Sequence, residues 1–317
     1  MKNLAQDTKN RALQLGFDAV GITGADLMDS SSADLNKFID ENRHGSMKWL
    51  ADTAIQRSNP AAFFPEAQSV VMVALNYFRK KEKMIYSPEL GTISIYARGR
   101  DYHKILRKKL KNLLEWIAER EPATRGRVFV DSFPIMEKPL AVRAGLGWIA
   151  KNSTLIIKGE GSYFFLGGLL LNLPLPPDEP FSAEYCGSCT RCLKACPANA
   201  LTAPAQLDAR KCISYLTIEH HGDIHPDYQQ KLGNYIFGCD ICQMVCPWNR
   251  RFATESGEVA FKNRFSGQKL NLKRLTRLTR EEYEKMFAGT AVRRSGYERF
   301  RQTLEIALGN LSLRAKN

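Results

Sequence analysis

Between Met1 and Leu175, stretches with apolar positions three and four apart alternate with short runs dominated by β-branched and aromatic residues. That alternation predicts an α/β or α+β domain. Residues 68–78 (QSVVMVALNYF), 127–133 (RVFVDSF), 154–158 and 162–172 read as strands, each bounded by Gly or Pro. Residues 101–120 read as a helix: Ile105, Leu106, Leu110, Leu113, Leu114 and Ile117 form an apolar stripe, and Lys104, Arg107, Lys108, Lys109 and Lys111 occupy the remaining surface. The pattern changes at Asn172, where the Pro-rich stretch NLPLPPDEP reads as a linker. A final helix is expected over 299–313. The chain therefore divides into 1–175, 176–255 and 256–317.

Charge changes the picture. The 317 residues carry 46 Lys plus Arg against 33 Asp plus Glu, a formal net charge of +13. Residues 262–301 hold 12 Lys or Arg and four acidic residues, which accounts for eight of that excess. With 44% hydrophobic and 25% charged residues, disordered, collagen-like and coiled-coil classes are excluded. The N-terminal segment has acidic residues and no apolar core of the kind a signal peptide needs. The longest apolar stretch, 163–175, is well short of the roughly 20 residues of a spanning helix. Eight Cys diluted in so long a chain point to a soluble protein of a reducing cytoplasm.

All eight Cys fall between Cys186 and Cys246. Cys186-x2-Cys189-x2-Cys192-x3-Cys196-Pro197 has the spacing with which a ferredoxin-type segment wraps a [4Fe–4S] cluster, its fourth Cys reaching a second cluster. A half-motif, Cys239-x2-Cys242-x3-Cys246-Pro247, follows, with Cys212 alone between them. Crossover pairing assigns Cys186, Cys189, Cys192 and Cys246 to one cluster, and Cys196, Cys212, Cys239 and Cys242 to the other. The alternative is two thiolate zinc sites; successive C-x2-C steps and two Cys-Pro endings favour cubanes. Two such clusters make an electron relay, and a bare ferredoxin would not need so long a chain in front of it.

Gly145-Leu146-Gly147-Trp148-Ile149-Ala150 matches the dinucleotide fingerprint by letter only, because the preceding segment reads as a helix that Gly145 ends, not as a strand. Asp131 is expected to end a strand and to precede a helix opening at Ser132, Phe133 and Pro134; from pattern alone it is a helix N-cap or an active-site carboxylate. Asp101-x-His103 begins like the D-x-H-x-x-G cobalamin motif, but Leu106 stands where Gly is required, so His103 reads as a satisfied structural histidine.

Arg57 in QRSNP, YARGRDYHKIL (96–106), VDSFPIMEKPLAVRAGLGWIAKNSTLI (130–156), CISYLTIEHHG (212–222) and GNYIFGCDICQMVCPWN (233–249), with the two cysteine motifs, closely resemble the epoxyqueuosine reductase family. The resemblance implies an α+β fold: a nitroreductase-like core binding cobalamin base-off, with no protein His below the cobalt, and a ferredoxin-like two-cluster module beside it. It implies reduction of epoxyqueuosine to queuosine at the tRNA wobble position and an external low-potential electron donor; a monomer is expected because one chain holds all the parts. Matching residues make Asp131 the proton donor, with Arg57, Tyr96, Ser214, Cys239 and Asp240 at the corrinoid. Many members of the family continue into HEAT-like helices where this sequence has room for about one helix pair, so tRNA contacts are expected on the basic segment, at Lys273, Arg274, Arg277 and Arg280, with His220 and His221 at the cluster-side rim. The other readings are a cobalamin reductive dehalogenase, which would not need a basic face, and a non-enzymatic electron carrier, which leaves residues 1–175 unexplained.

Overall fold

The computed structural model describes residues 1–79, 87–265 and 267–314. Its strands are β1 (Ala19–Gly24), β2 (Ser69–Asn76), β3 (Thr92–Ile93), β4 (Gly126–Phe129), β5 (Trp148–Ile149), β6 (Leu155–Ile156), β7 (Phe164–Leu171), β8 (Leu201–Ala203), β9 (Gln206–Leu207) and β10 (Tyr235–Phe237). The main sheet has the order β1-β2-β7-β4 and every pairing in it is antiparallel, which makes the fold α+β.

The run SVVMVALN is continuously apolar rather than alternating because β2 is buried along its whole length, with cover on both faces. Val71, Val73 and Leu75 pack on one side against helices Lys2–Gln14 and Tyr102–Ala118; Val70, Met72 and Ala74 pack on the other against helix Glu137–Arg143. Of the six-residue stripe expected on the second helix, Ile105 and Leu114 are half-buried against the same core, and Leu106, Leu110, Leu113 and Ile117 are fully inaccessible. At about 1.5–3 kcal/mol per buried side chain, these four residues dominate the helix's hold on the sheet.

The strand expected over 127–133 stops at Phe129, and no helix opens at Ser132. Residues 131–135 form a succession of bends, and the next helix begins at Glu137. Asp131 takes a left-handed backbone (φ 49), and Pro134 disfavours helical geometry at Phe133. The N-cap reading of Asp131 therefore falls.

The three parts of the chain interlock. Strand β3 pairs in parallel with β10, which lies far from it in sequence. The C-terminal helix spans Gly296–Arg314, starting earlier than the expected 299, and it lies on β10, where the Thr303 hydroxyl donates to the Ile236 carbonyl at 3.1 Å. One core joins Ile93 and Ala97, Ile236 and Phe237, and Phe287, Phe300 and Leu304. Among the described residues no helix is long and apolar enough to cross a membrane.

Candidate active site and cluster module

A cavity of about 980 Å³ opens between the antiparallel core, the cysteine module and the C-terminal segment. Its size is at the upper end of the roughly 300–1,000 Å³ usual for ligand sites. Tyr96, Arg57, Asp131 and Ser214 line it, with Trp49, Tyr77, Tyr102, His103, Phe165, Cys212, Arg293 and Arg294. Walls that are mostly aromatic and aliphatic, with charged groups at a few points, suit a broad, flat, largely apolar ligand.

Asp131 lies on the cavity wall, two residues beyond the end of β4 and in a left-handed turn. Helix Tyr102–Ala118 brings its partners. Asp101 caps this helix, accepting from the His103 backbone N–H at 3.0 Å, so His103 sits in the first turn with its ring free to turn inward. The ring bridges two carboxylates, with Nδ1 2.7 Å from Asp101 Oδ1 and Nε2 2.9 Å from Asp131 Oδ2. The Tyr102 hydroxyl donates to the same Asp131 oxygen at 2.7 Å, and its ring stacks on Phe165 of β7 at 3.9 Å between centroids.

Burial alone would lower the His103 pKa, but hydrogen bonds and the charges of Asp101 and Asp131 outweigh it and raise the imidazole to about 9. Burial likewise pushes the Asp131 carboxyl up, yet hydrogen bonds from His103 and Tyr102 and the positive charges of His103 and Arg294 hold it below the ordinary value. Near neutrality the pair is therefore imidazolium and carboxylate, with the mobile proton on His103. The sequence reads His103 as a satisfied structural histidine, and both ring nitrogens do have partners; what the sequence does not show is that one of them is Asp131 on the cavity wall. The D-x-H spacing is a usable signal of another kind, since it places a cap and a first-turn residue on one helix end.

Arg57 donates through Nε to Thr53 Oγ1 at 2.9 Å and lies over the Trp49 ring at 4.7 Å. Tyr96 stands in a short 3-10 turn, Ile95–Ala97, anchored from below by Asp240, which accepts from the Ser94 hydroxyl and, at 2.9 Å, from the Ile95 N–H. Asp240 is only 2% exposed, and neither it nor Cys239 lines the cavity. Asp240 fixes the turn that carries Tyr96, and Cys212 is the cysteine that lines the cavity.

All eight Cys are free. Cys192 is within electrostatic reach of Cys189 and Cys246, Cys212 of Cys196, and Cys239 of Cys212 and Cys242. Cys242 feels Cys212 and Cys196 and also Cys192, which the crossover division expects in the other group. Among the described residues no three Cys, His, Asp or Glu side chains close around a single ion.

The residues expected to meet RNA are spread out. His220 and His221 line a second cavity of about 520 Å³ that shares Trp49, Ile218, Glu219 and Arg294 with the first. Lys273, Arg274 and Arg277 line a separate shallow hollow. Arg280 is paired with Glu298 and lies over Tyr297, so its charge is partly spent within the chain. Arg294, which no motif in the sequence singles out, is held bidentately by Glu219 at 2.9 and 3.1 Å on the wall common to both cavities.

An α+β core whose cavity is lined by the His103–Asp131 pair on one side and by Cys212 of an eight-cysteine module on another points to the class of iron–sulfur proteins. Comparison with known proteins agrees. The family described as "Epoxyqueuosine reductase QueG, DUF1730" matches residues 57–132, and the 4Fe-4S double cluster binding domain matches 185–249. The chain is 43% identical over 312 residues to the epoxyqueuosine reductase of Vibrio cholerae, covering 98% of this chain and 84% of that one. It is 42% identical over 313 residues to that of Escherichia coli K12, covering 98% and 82%. The crystal structure of epoxyqueuosine reductase with a tRNA-Tyr epoxyqueuosine-modified stem loop superposes with a TM-score of 0.89 at 30% identity, covering 98% of this chain and 82% of that one. The Streptococcus thermophilus enzyme does so with 0.86 at 29%, with the same coverage. The chain belongs to the epoxyqueuosine reductase family.

Proposed function

We propose that this protein removes the epoxide oxygen of epoxyqueuosine at the wobble position of tRNA, giving queuosine and water. The observation that carries the reading is that one cavity is faced by both a proton source, His103 with Asp131, and a cluster ligand, Cys212. The reaction consumes two electrons and two protons, and side chains supply only the protons. Residues 176–255 would carry two [4Fe–4S] clusters on the eight cysteines; the cluster that includes Cys212 is proximal to the cavity, and that of Cys186, Cys189, Cys192 and Cys246 is distal. Cobalamin suits the broad aromatic slot, with Tyr96, Arg57 and Ser214 against it, and when bound it would supply a low-potential, nucleophilic reductant that no amino acid provides.

As the epoxide C–O bond breaks, the oxygen gains negative charge and needs a proton. Asp131 is held on the cavity wall by His103 and Tyr102. Asp131 accepts the His103 proton and passes it to the oxygen, while Asp101 stabilises the imidazolium until transfer. This differs from an acid kept protonated by an apolar pocket: the carboxyl is ionised at rest and acts as the conduit of a paired imidazolium. Tyr102 keeps the carboxylate in register.

Residues 1–175 would form the catalytic domain and 256–317 an RNA-facing segment. The +13 charge suits an anticodon stem-loop. An unpaired wobble base can be splayed into the first cavity, leaving flanking nucleotides to His220 and His221, and the exposed Lys273, Arg274 and Arg277 to more distant phosphates, with Arg280 contributing only where Glu298 releases it. The test is anaerobic reconstitution with hydroxocobalamin, metal analysis, and nucleoside mass spectrometry after incubation with epoxyqueuosine tRNA. About eight iron, one cobalt and queuosine are expected; iron without product returns the protein to the electron-carrier class.

A further inference from the structure

The segment that imitates a dinucleotide fingerprint has a different use in the fold. Gly145 has a left-handed φ of +77, and a Cβ there would lie 2.7 Å from the Glu179 carbonyl oxygen. At Gly147 a Cβ would lie 2.0 Å from the Ile156 carbonyl oxygen. The two glycines let the chain turn off helix Glu137–Arg143 and close the β5–β6 hairpin, which puts Trp148 and Lys151 against the cysteine module. Trp148 is 3% exposed and packs with Phe181, Trp248, Cys186 and Cys246. Its buried indole Nε1–H has no hydrogen-bond partner among the described residues, and the side chain packs beside Cys186, whose thiol it helps to hold down against the upward push of burial. The Lys151 ammonium donates to the carbonyl of Gly187, the residue next to Cys186. The neighbouring Trp248 is differently placed: its Nε1–H donates to the Tyr185 carbonyl at 3.3 Å.

A buried N–H left without an oxygen or nitrogen acceptor is costly unless something in the functional molecule accepts it. A thiol sulfur is a weak acceptor; a cluster-bound thiolate is a much better one. We propose that Trp148 donates an N–H···S hydrogen bond to Cys186 and thereby raises the reduction potential of the distal cluster. This rests on the cluster assignment made above. The hydrogen bond strengthens as electron density on sulfur rises, so it stabilises the reduced cluster more than the oxidised one. The distal cluster thus accepts one electron from an external low-potential carrier more readily than it would with an apolar residue at that position, and the fingerprint look-alike is a tuning element of the relay.

The test is a potentiometric titration of the reconstituted holoenzyme followed by electron paramagnetic resonance. In Trp148→Phe, the reduced-to-oxidised ratio of the distal cluster at the wild-type midpoint is expected to fall about tenfold, equivalent to about 59 mV for one electron. Trp248→Phe, whose lost N–H was bound elsewhere, is expected to move it less than about twofold. An unchanged ratio in Trp148→Phe with full iron content overturns the proposal. Should that variant lose its clusters, wild-type protein labelled with 15N-indole tryptophan decides: a 15N hyperfine coupling to the reduced distal cluster supports the bond, and its absence overturns it. A wild-type protein without iron overturns the cluster assignment itself, an outcome separate from failure of the Trp148 bond.

Discussion

Among individual residues, the contact between His103 and Asp131 decides how the site is protonated. Because the His103 pKa is raised, the imidazolium and its pairing with the two carboxylates are fully present below the ordinary value near 6.5, and they are lost as pH rises through about 9. In the free enzyme, kcat/KM is therefore expected to be sustained at neutral pH and to fall on an alkaline limb near 9, measured as queuosine formation across a pH series. Asp131→Asn is expected to lose about 10²–10⁴-fold in turnover with iron and cobalt content unchanged. His103→Gln is expected to lose the alkaline limb along with most of the rate; an unaltered limb would show that another group sets it.

Among the secondary-structure elements, the helix Tyr102–Ala118 joins stability to chemistry. Its apolar stripe seats it on the sheet, and its capped N-terminus presents Asp101, Tyr102 and His103 to the cavity. Leu110→Ala is expected to cost about 2–5 kcal/mol of stability in denaturant titration, since this side chain is fully buried. The stripe is legible in the sequence because helical periodicity is a local property of the chain. Where β4 ends is not: RVFVDSF continues the strand pattern to Phe133, while the observed turn at Asp131 depends on a left-handed backbone that pattern does not encode. Gly147→Ala is expected to open the β5–β6 hairpin, because its Cβ would collide with backbone rather than with a movable side chain. Reconstituted protein carrying this change should show depressed iron content.

Across the molecule, the third part of the chain is no loose platform. Arg293 and Arg294 reach the first cavity from it, and its helix Gly296–Arg314 shares a core with β3 and β10. In the proposed function, RNA binding and catalysis thus draw on one continuous wall, with Arg294 between the two cavities. Replacing Lys273, Arg274 and Arg277 together by Ala is expected to weaken stem-loop binding and to reduce the slope of log affinity against log salt by about 2. An unchanged slope would place the phosphate contacts elsewhere.

What depends on residue type and spacing could be read without coordinates: the α+β pattern, the eight-cysteine module and the basic excess, while Asp131, Arg57, Tyr96 and Ser214 as residues of one site came from the family resemblance of the strings that hold them. The first two are carried by a local period and a short motif, and the third by composition. It took the folded chain to show that His103 bridges Asp101 and Asp131, that Asp240 supports the Tyr96 turn, and that Arg294 and Trp148 stand at the cavity wall and the cysteine module. Each of these contacts joins segments distant in sequence: His103 meets Asp131, Trp148 meets Cys186, Ser94 meets Asp240, and the charge of Arg294 acts on Asp131. Contacts at such separations are set by how sheet, helices and cysteine module close on one another, and no local pattern in the chain records that closure.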